Sequence, residues 1–571
     1  MKKRIKNKSA WRAALGYIGK YKLLLVLSLL LSACSVAATL YIPILVGGAI
    51  DDMLSMGAQG IVGRLAAAAV LAAAGGLVTW LAGIINNRIC YNVVRNARNE
   101  AFEHLQRVPL SYIDSRERGD IISRITSDAE QLGDGLLLGF TQLFTGVLTV
   151  AGTLGFMLAL EPVIAAAVAV LTPLSLLIAR FIARRTHSLF IGQSEARAAQ
   201  TAFVEEMLTN RKVVAAFSQQ EPACQRFGKL NEQVEKTSRT AAFFSSLVNP
   251  STRFVNAVVY AAVTLIGALA AIRGQMTVGT LSCLLSYANQ YAKPFNEISS
   301  VLTELQNALA CAERLFELQN APLQSADGPL ELNGPARVSM DNVCFSYVPS
   351  QPLIRDFSLE VPCGSRVAIV GPTGCGKTTL INLLMRFYDP QSGSISMNGI
   401  NATEISRASL RGNIGMVLQD TWLCSGTVRE NIALGRPNAT DEEIEAAARF
   451  SHAHEFIVKL PKGYDTVISD DDSISQGQKQ LLCISRVALA LPPMLILDEA
   501  TSSIDTRTEM KIQDAFARMM QGRTCFIVAH RLSTIRNADI ILVMKDGNIV
   551  EQGTHAELME RRGFYYQLNN A

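Results

Sequence analysis

Five stretches carry no charged side chain: Leu23–Ile50, Leu65–Asn87, Gly135–Leu160, Pro162–Ala179 and Phe254–Ile272. Each is long enough, as helix, to cross the roughly 30 Å of hydrocarbon in a bilayer. Nothing else in the chain limits its fold as strongly. Backbone in lipid must pair its own N–H and C=O groups, and runs of this length do so as helices. A sixth, weaker run starts near Val278 and passes Tyr291, with polar residues inside it. The composition agrees: 49% hydrophobic and only 18% charged is too apolar for an ordinary soluble enzyme. A net charge of +4 over 571 residues gives no support to nucleic-acid binding.

The basic start, MKKRIKNKSAWR, resembles the head of a signal peptide. The apolar run behind it continues to Ile50 without a small-residue cleavage pattern, so it reads as a membrane span. Residues 88–134 hold seven Arg and 180–240 hold ten Lys or Arg, whereas the links near Asp51–Arg64, Glu161 and Arg273 hold few. By the positive-inside rule both termini and both long loops face the cytoplasm. Those loops keep helical periodicity, so the spans are expected to extend far beyond the membrane. At their tips Gly119–Asp128 and Asn210–Phe217 are amphipathic; they either dock on another domain or cap the hairpins.

Ionisable groups at membrane depth are costly and commonly functional. Arg253 lies about 28 Å of helix from the outer end of its span and Lys293 about 22 Å along its own. For Arg253 the simpler reading is snorkelling to the inner interface. Lys293 and Glu297 flank Pro294 and share a face with Asn289 and Gln290. Cavity-lining and structural readings both stand for that face.

After a polar, Gly/Pro-bearing link the text changes to alternating short strands and helices. The expected division is 1–320 for the membrane part, 321–335 for the linker and 336–571 for an α/β domain. Gly371–Thr378 reads GPTGCGKT, preceded by the apolar strand Arg366–Val370 and followed by a helical pattern. In such a loop backbone N–H groups close on phosphates, Lys377 reaches the β and γ phosphates and the Thr378 hydroxyl binds Mg²⁺. Asn398-Gly399 and Asp546-Gly547 mark hairpins, so an antiparallel portion accompanies the parallel core. Met494–Leu497 is a buried-strand pattern that ends in Asp498-Glu499, at the sheet edge where α/β ligands bind. Asp498 is the expected Mg²⁺ ligand and Glu499 the group that orients or deprotonates the attacking water. Ser475 and Gln478 have the spacing of a capping box at the start of a helix through Ala490.

The set SISQGQ, LILDEATSSID, Gln419 in VLQD and His530 in IVAHR resembles the ATP-binding cassette superfamily, and the six-span half resembles its type I exporter branch. The implied fold is an all-α six-helix transmembrane domain followed by an α/β P-loop ATPase. The resemblance implies that Tyr347 stacks on adenine and that Gly371, Pro372, Thr373, Gly374, Cys375, Gly376, Lys377, Thr378 and Thr379 surround the phosphates. It implies that Gln419 links Mg²⁺ and water to the membrane half, that His530 meets the γ-phosphate, and that Asp505 lies in the loop crossing to a partner. Ser475, Gly477 and Gln478 match the signature that contacts ATP held by the opposite subunit. One chain is then half a transporter: an ATPase that exports a small molecule, drug, lipid or peptide across the cytoplasmic membrane by alternating access. The alternatives are a channel or receptor regulator built on the same engine, or a flippase dedicated to one lipid or peptide.

Two departures stand out. Gln476 occupies a position that is glycine in the usual signature, and Ser469–Ser473 before it is about one residue short. With Lys377, Glu499 and His530 intact, the chain resembles the catalytically complete subunit of heterodimeric multidrug exporters, so a heterodimer is expected over a homodimer. Cys375 reads as a small space-filling residue, and His452 and His454 as surface residues with no further metal ligands nearby.

Overall fold

The computed structural model describes residues 16–17, 19–55, 58–334, 337–418, 421–468, 474–498, 504–528 and 535–570. Contacts divide the chain into two units, Met1–Gln106 with Glu117–Ala321, and Arg107–Arg116 with Pro322–Ala571.

The first unit is helical. It contains α1 (Lys22–Leu54) and α2 (Ala58–Leu105); the short α3 (Leu110–Asp114) falls in the second unit. Then follow α4 (Arg118–Ile125), α5 (Ser127–Leu138), a π turn at Gly139–Leu143, α6 (Phe144–Leu160), α7 (Pro162–Leu171) and α8 (Pro173–Thr209). Next come α9 (Arg211–Ala216), α10 (Gln220–Ser246), α11 (Val248–Ile272) and α12 (Val278–Gln319). Among the described residues, four helical stretches are long and apolar enough to cross a membrane: Lys22–Leu54, Gly60–Leu105, Arg118–Leu160 and Gln220–Ile272. The other two expected spans correspond to the α7–α8 pair, where Pro173 restarts the helix after Thr172, and to α12. At 48 residues α2 is about 72 Å long, far more than a bilayer needs. That length accounts for the helical periodicity of the loops.

The core of this unit gathers Leu40, Met157, Ile164, Val168, Val259, Val263, Leu284 and Tyr287, all buried. Where α1 meets α12, small residues allow backbone approach: a Cβ on Gly279 would lie 2.0 Å from the Gly47 carbonyl oxygen. Asp51 fastens the same junction, accepting from the Gly279 N–H at 2.8 Å and the Thr277 hydroxyl at 2.7 Å. In α6 and the π turn before it, Thr141, Thr149 and Thr153 each turn the hydroxyl back onto the carbonyl four residues earlier, at 2.7, 2.8 and 2.6 Å. Polar side chains there satisfy themselves within the helix.

The amphipathic segment Gly119–Asp128 is not the part of its loop that joins the nucleotide unit. Its charges are engaged inside the first unit: Asp120 pairs with Arg124 at 2.8 Å and Arg314 at 2.7 Å, and Arg124 also reaches Glu317 at 3.2 Å. The ten residues Arg107–Arg116, just before it, belong to the second unit instead. Gln324 stitches it there, donating from its backbone N–H to the Arg107 carbonyl at 2.9 Å and from Nε2 to the Val108 carbonyl at 3.0 Å. The Tyr388 hydroxyl donates to Asp114. Burial, with that carboxylate as partner, pushes the Tyr388 phenol above its ordinary pKa. In the second loop Val213 of α9 and Phe217 just after it are exposed.

The second unit is α/β. One sheet orders β2 (Ile354–Val361), β1 (Val338–Phe345), β4 (Ser392–Met397) and β5 (Ile400–Asn401), all antiparallel. The larger sheet runs β12 (Asn548–Gly553), β11 (Ile540–Lys545), β3 (Arg366–Val370), β10 (Thr524–Val528), β9 (Met494–Asp498) and β6 (Ile414–Val417). Its strands are parallel except for the β11–β12 hairpin. Both expected hairpins form, with Asn398-Gly399 at φ 52° and 80° and Asp546-Gly547 at φ 49° and 83°. Buried Arg407 clamps the incoming linker, holding the Ser325 carbonyl at 2.8 Å and Asp327 at 3.0 Å, while buried Arg386 donates to the Ala402 and Ile405 carbonyls at 2.9 Å.

Candidate functional site

All of β3, β10, β9 and β6 point the same way, so their carboxyl ends share one sheet edge. From β3 the chain enters Gly371–Gly376, and Lys377 opens the helix α13 (Lys377–Leu384), with Thr378 and Thr379 in its first turn. Gly376 is the cap residue at φ 104°, a left-handed conformation that favours glycine. At Gly371 a Cβ would lie 2.2 Å from the Met544 carbonyl oxygen, so the loop presses against β11 there. Pro372, Thr373, Gly374 and Thr378 are exposed. The loop and the first turn of α13 thus present backbone N–H groups that the helix cannot pair, an anion site by construction. Lys377 Nζ donates to the Gly371 carbonyl at 2.8 Å and the Pro372 carbonyl at 3.0 Å, which sets the ammonium over the loop. Cys375 is buried at 3% exposure against the core of this unit, as the space-filling reading expects.

In the sheet register Val528 of β10 pairs with Ile369 of β3 on one side and Asp498 of β9 on the other. Asp498 therefore ends its strand about 10 Å from the start of the phosphate loop. It is 9% exposed. A threonine hydroxyl and a carboxylate are hard oxygen donors, and Mg²⁺ prefers one or two such groups together with water and substrate phosphate. Thr378 and Asp498 fit that ion. Gln419, Glu499 and His530 lie outside the described residues, as does the segment 469–473.

Tyr347 is 47% exposed and is held on two sides. Its ring stands edge-on to Phe345 and to Tyr388, each at 5.0 Å, and Asn382 of α13 donates to its hydroxyl at 2.9 Å. The aromatic ring is thereby tied to the helix that carries Lys377. Beside it lies a cavity of about 270 Å³ whose lining includes Tyr347, Tyr388, Ser111, Gln324 and Arg407.

The capping box at Ser475 forms as expected. Ser475 Oγ accepts from the Gln478 N–H at 3.3 Å, Gln478 Oε1 accepts from the Ser475 N–H at 3.0 Å, and α14 (Gln476–Ala490) follows. Gly477 has to be small: a Cβ there would meet Thr508 Cγ2 at 2.6 Å and Ile504 Cγ2 at 2.9 Å. Asp505 caps α15 (Thr506–Met520), accepting from the Thr508 N–H at 2.9 Å. That backbone bond, and the Thr508 side chain, hold its carboxyl below the ordinary range. Gln476, the departure from the usual signature, donates from Nε2 to Thr421 Oγ1 at 2.9 Å. The sequence carries no signal for this pairing, because the two residues are far apart in the chain and share no motif. His452 and His454 are half-buried, not surface residues, and each meets a protein partner: Asp514 at 2.7 Å and the Tyr464 hydroxyl at 2.9 Å. Neither Lys293 nor Arg253 is near this site in sequence or unit; both side chains are exposed on the first unit, and the side chain of Glu297 lies outside the described residues.

Residues 25–295 match the family profile of the ABC transporter transmembrane region, and residues 354–502 match the ABC transporter profile. A fatty acid ABC transporter ATP-binding/permease protein of Mycobacterium bovis is 45% identical over 509 residues, which cover 89% of this chain and 81% of that one. An uncharacterised ABC transporter ATP-binding protein of Bacillus subtilis, YfiC, is 36% identical over 99% of this chain and 95% of its own. Among solved structures, a bacterial Atm1-family ABC exporter with ATP bound superposes with a TM-score of 0.79 at 28% identity, over 96% of this chain and 98% of that one.

Proposed function

Because the chain belongs to the ABC transporter family, as an exporter-type membrane region joined to its ATPase, we propose that it is one half of a dimeric pump that moves a lipid-like amphiphile out of the cytoplasm. It is a transport-coupled ATPase of the membrane. The observation that carries the pump reading is a phosphate loop and an acidic strand end at one sheet edge, in a chain whose other unit is membrane-length helix. The loop N–H groups from Gly371 to Thr379 and the Lys377 ammonium bind the phosphates, and Tyr347 stacks on the base. Thr378, Asp498 and Gln419 would hold Mg²⁺, which would neutralise phosphate charge when bound. Glu499 aligns the attacking water and takes up its proton, and His530 meets the γ-phosphate.

Ser475, Gly477 and Gln478 at the head of α14 contact the ATP of a second half-transporter, and Asp505 sits beside the same junction. Closure of two nucleotide domains on ATP then changes which membrane side the cavity faces, and hydrolysis resets it. Intact Lys377, Glu499 and His530 support pairing with a different, complementary half. The charge distribution of the loops supports cytoplasmic termini and a cytoplasmic nucleotide unit. The name of the mycobacterial relative supports a lipid-like cargo.

The test is Glu499→Gln in the purified transporter. ATP binding persists, ATP turnover falls at least about a hundredfold, and transport into proteoliposomes stops. Substantial residual hydrolysis in that variant excludes Glu499 as the base.

A further inference from the structure

We propose that one face of α12 lines a water-filled path through the membrane, and that Lys293 on that face selects anionic amphiphiles by binding their headgroup. The inference rests on the exporter reading above and names its cargo class. From Gly279 to Pro294 the helix turns Cys283, Leu284, Tyr287, Ala288 and Tyr291 into the core of the first unit. Over that length Asn289 and Lys293 are exposed, and Thr280, Leu281, Ser282, Leu285, Ser286 and Gln290 are half-exposed. Steps of four, three and four residues put Ser282, Ser286, Asn289 and Lys293 on a single stripe of the helix, with Leu285 the one apolar side chain among them.

Neighbouring α11 is the opposite. Its outward residues include Phe254, Val258, Leu265 and Leu269, the surface that hydrocarbon requires. Arg253 sits at the inner end of that apolar face, where a long side chain reaches the headgroup region. The α12 stripe has two hydroxyls, an amide and an ammonium, a surface that lipid tails cannot solvate. It therefore faces water or a polar partner. Among the described residues Lys293 has no ion-pair or hydrogen-bond partner, whereas Asp51, near the opposite end of the same membrane region, is fully engaged. An ammonium about 22 Å along the span, at the foot of a polar stripe, is complementary to a carboxylate that enters from the inner leaflet with its tail in the membrane; the side chain of Glu297, one turn further on, lies outside the described residues.

The test uses the transporter purified with the second half it assembles with, reconstituted into proteoliposomes. Stimulation of ATP hydrolysis is titrated with oleate, oleyl alcohol and oleylamine, which share a tail and differ in head charge. Oleate should act at a concentration roughly tenfold or more below oleyl alcohol. Lys293→Gln should remove that advantage, Lys293→Arg should keep it, and Lys293→Glu should transfer it to oleylamine. Arg253→Gln should leave the order unchanged. The arginine and glutamate variants keep the test readable if Lys293→Gln fails to fold. Equal response to the three amphiphiles, no response to any of them with ATPase intact, or an oleate preference that survives Lys293→Gln overturns the proposal and leaves the exporter reading standing. Absence of ATPase from the assembled wild type overturns both.

Discussion

At the residue scale, Asp389 shows how the linker is held to the nucleotide unit. It accepts from Ser325 Oγ at 2.6 Å and from Arg386 Nε at 3.1 Å. Burial works against its charge, yet these hydrogen bonds and the charges of Arg386 and Arg407 outweigh burial and hold its carboxyl below the ordinary value. A depressed carboxyl stabilises the fold above the unfolded-state pKa, and that contribution disappears as pH falls through the lowered folded value. Thermal unfolding of the detergent-solubilised chain should therefore separate wild type from Asp389→Asn at pH 6, with the gap closing below about pH 4. A gap independent of pH would mean that Asp389 acts through packing alone. Residues of this kind were not legible in the sequence. The phosphate loop and the Ser475 capping box were, because each is a local pattern whose geometry follows from a few adjacent residues. Gln476–Thr421, Asp389–Ser325 and Asn382–Tyr347 join separate segments, and nothing in the local text marks them.

At the scale of elements, helices and strands followed their hydrophobic patterns closely, and both Asn-Gly and Asp-Gly hairpins formed where backbone chemistry required. The docking segment of the first loop did not follow from pattern. Gly119–Asp128 has the amphipathicity of a docking surface, but its charged face is taken by Arg314 and Glu317 of α12. Arg107–Arg116 has little amphipathic signal and is held through two backbone carbonyls and the Tyr388–Asp114 hydrogen bond, pairings that a sequence does not display. The α1–α12 junction is equally silent in hydropathy and depends on Gly47 and Gly279. Gly279→Val forces backbone apart and should cost about 1–3 kcal/mol or more, read as a lower unfolding temperature of the solubilised chain. Gly274→Ala is the control for the loop before α12: its added Cβ meets nothing within 4 Å, so any loss there reports only the φ of 72°.

At the scale of the molecule, the proposed contact of Ser475, Gly477 and Gln478 with the ATP of the opposite subunit would make the ATPase a property of pairs. Specific activity should fall as the purified transporter is diluted through its dissociation range, and recover when it is concentrated again. Activity proportional to protein at every dilution, in material shown to be monomeric, would remove the sandwich from the mechanism. The division into two units has a practical consequence for anyone recombining such pumps. The boundary in space is not the boundary in the chain, since Gln324 and Tyr388 clasp ten residues borrowed from the middle of the helical half. A hybrid that transplants only the carboxyl-terminal cassette keeps this clasp but leaves its own Arg107–Arg116 behind and must grip a foreign segment. Exchanging Arg107–Arg116 together with the cassette restores the matched pair, so the unit that can be inherited intact is discontinuous.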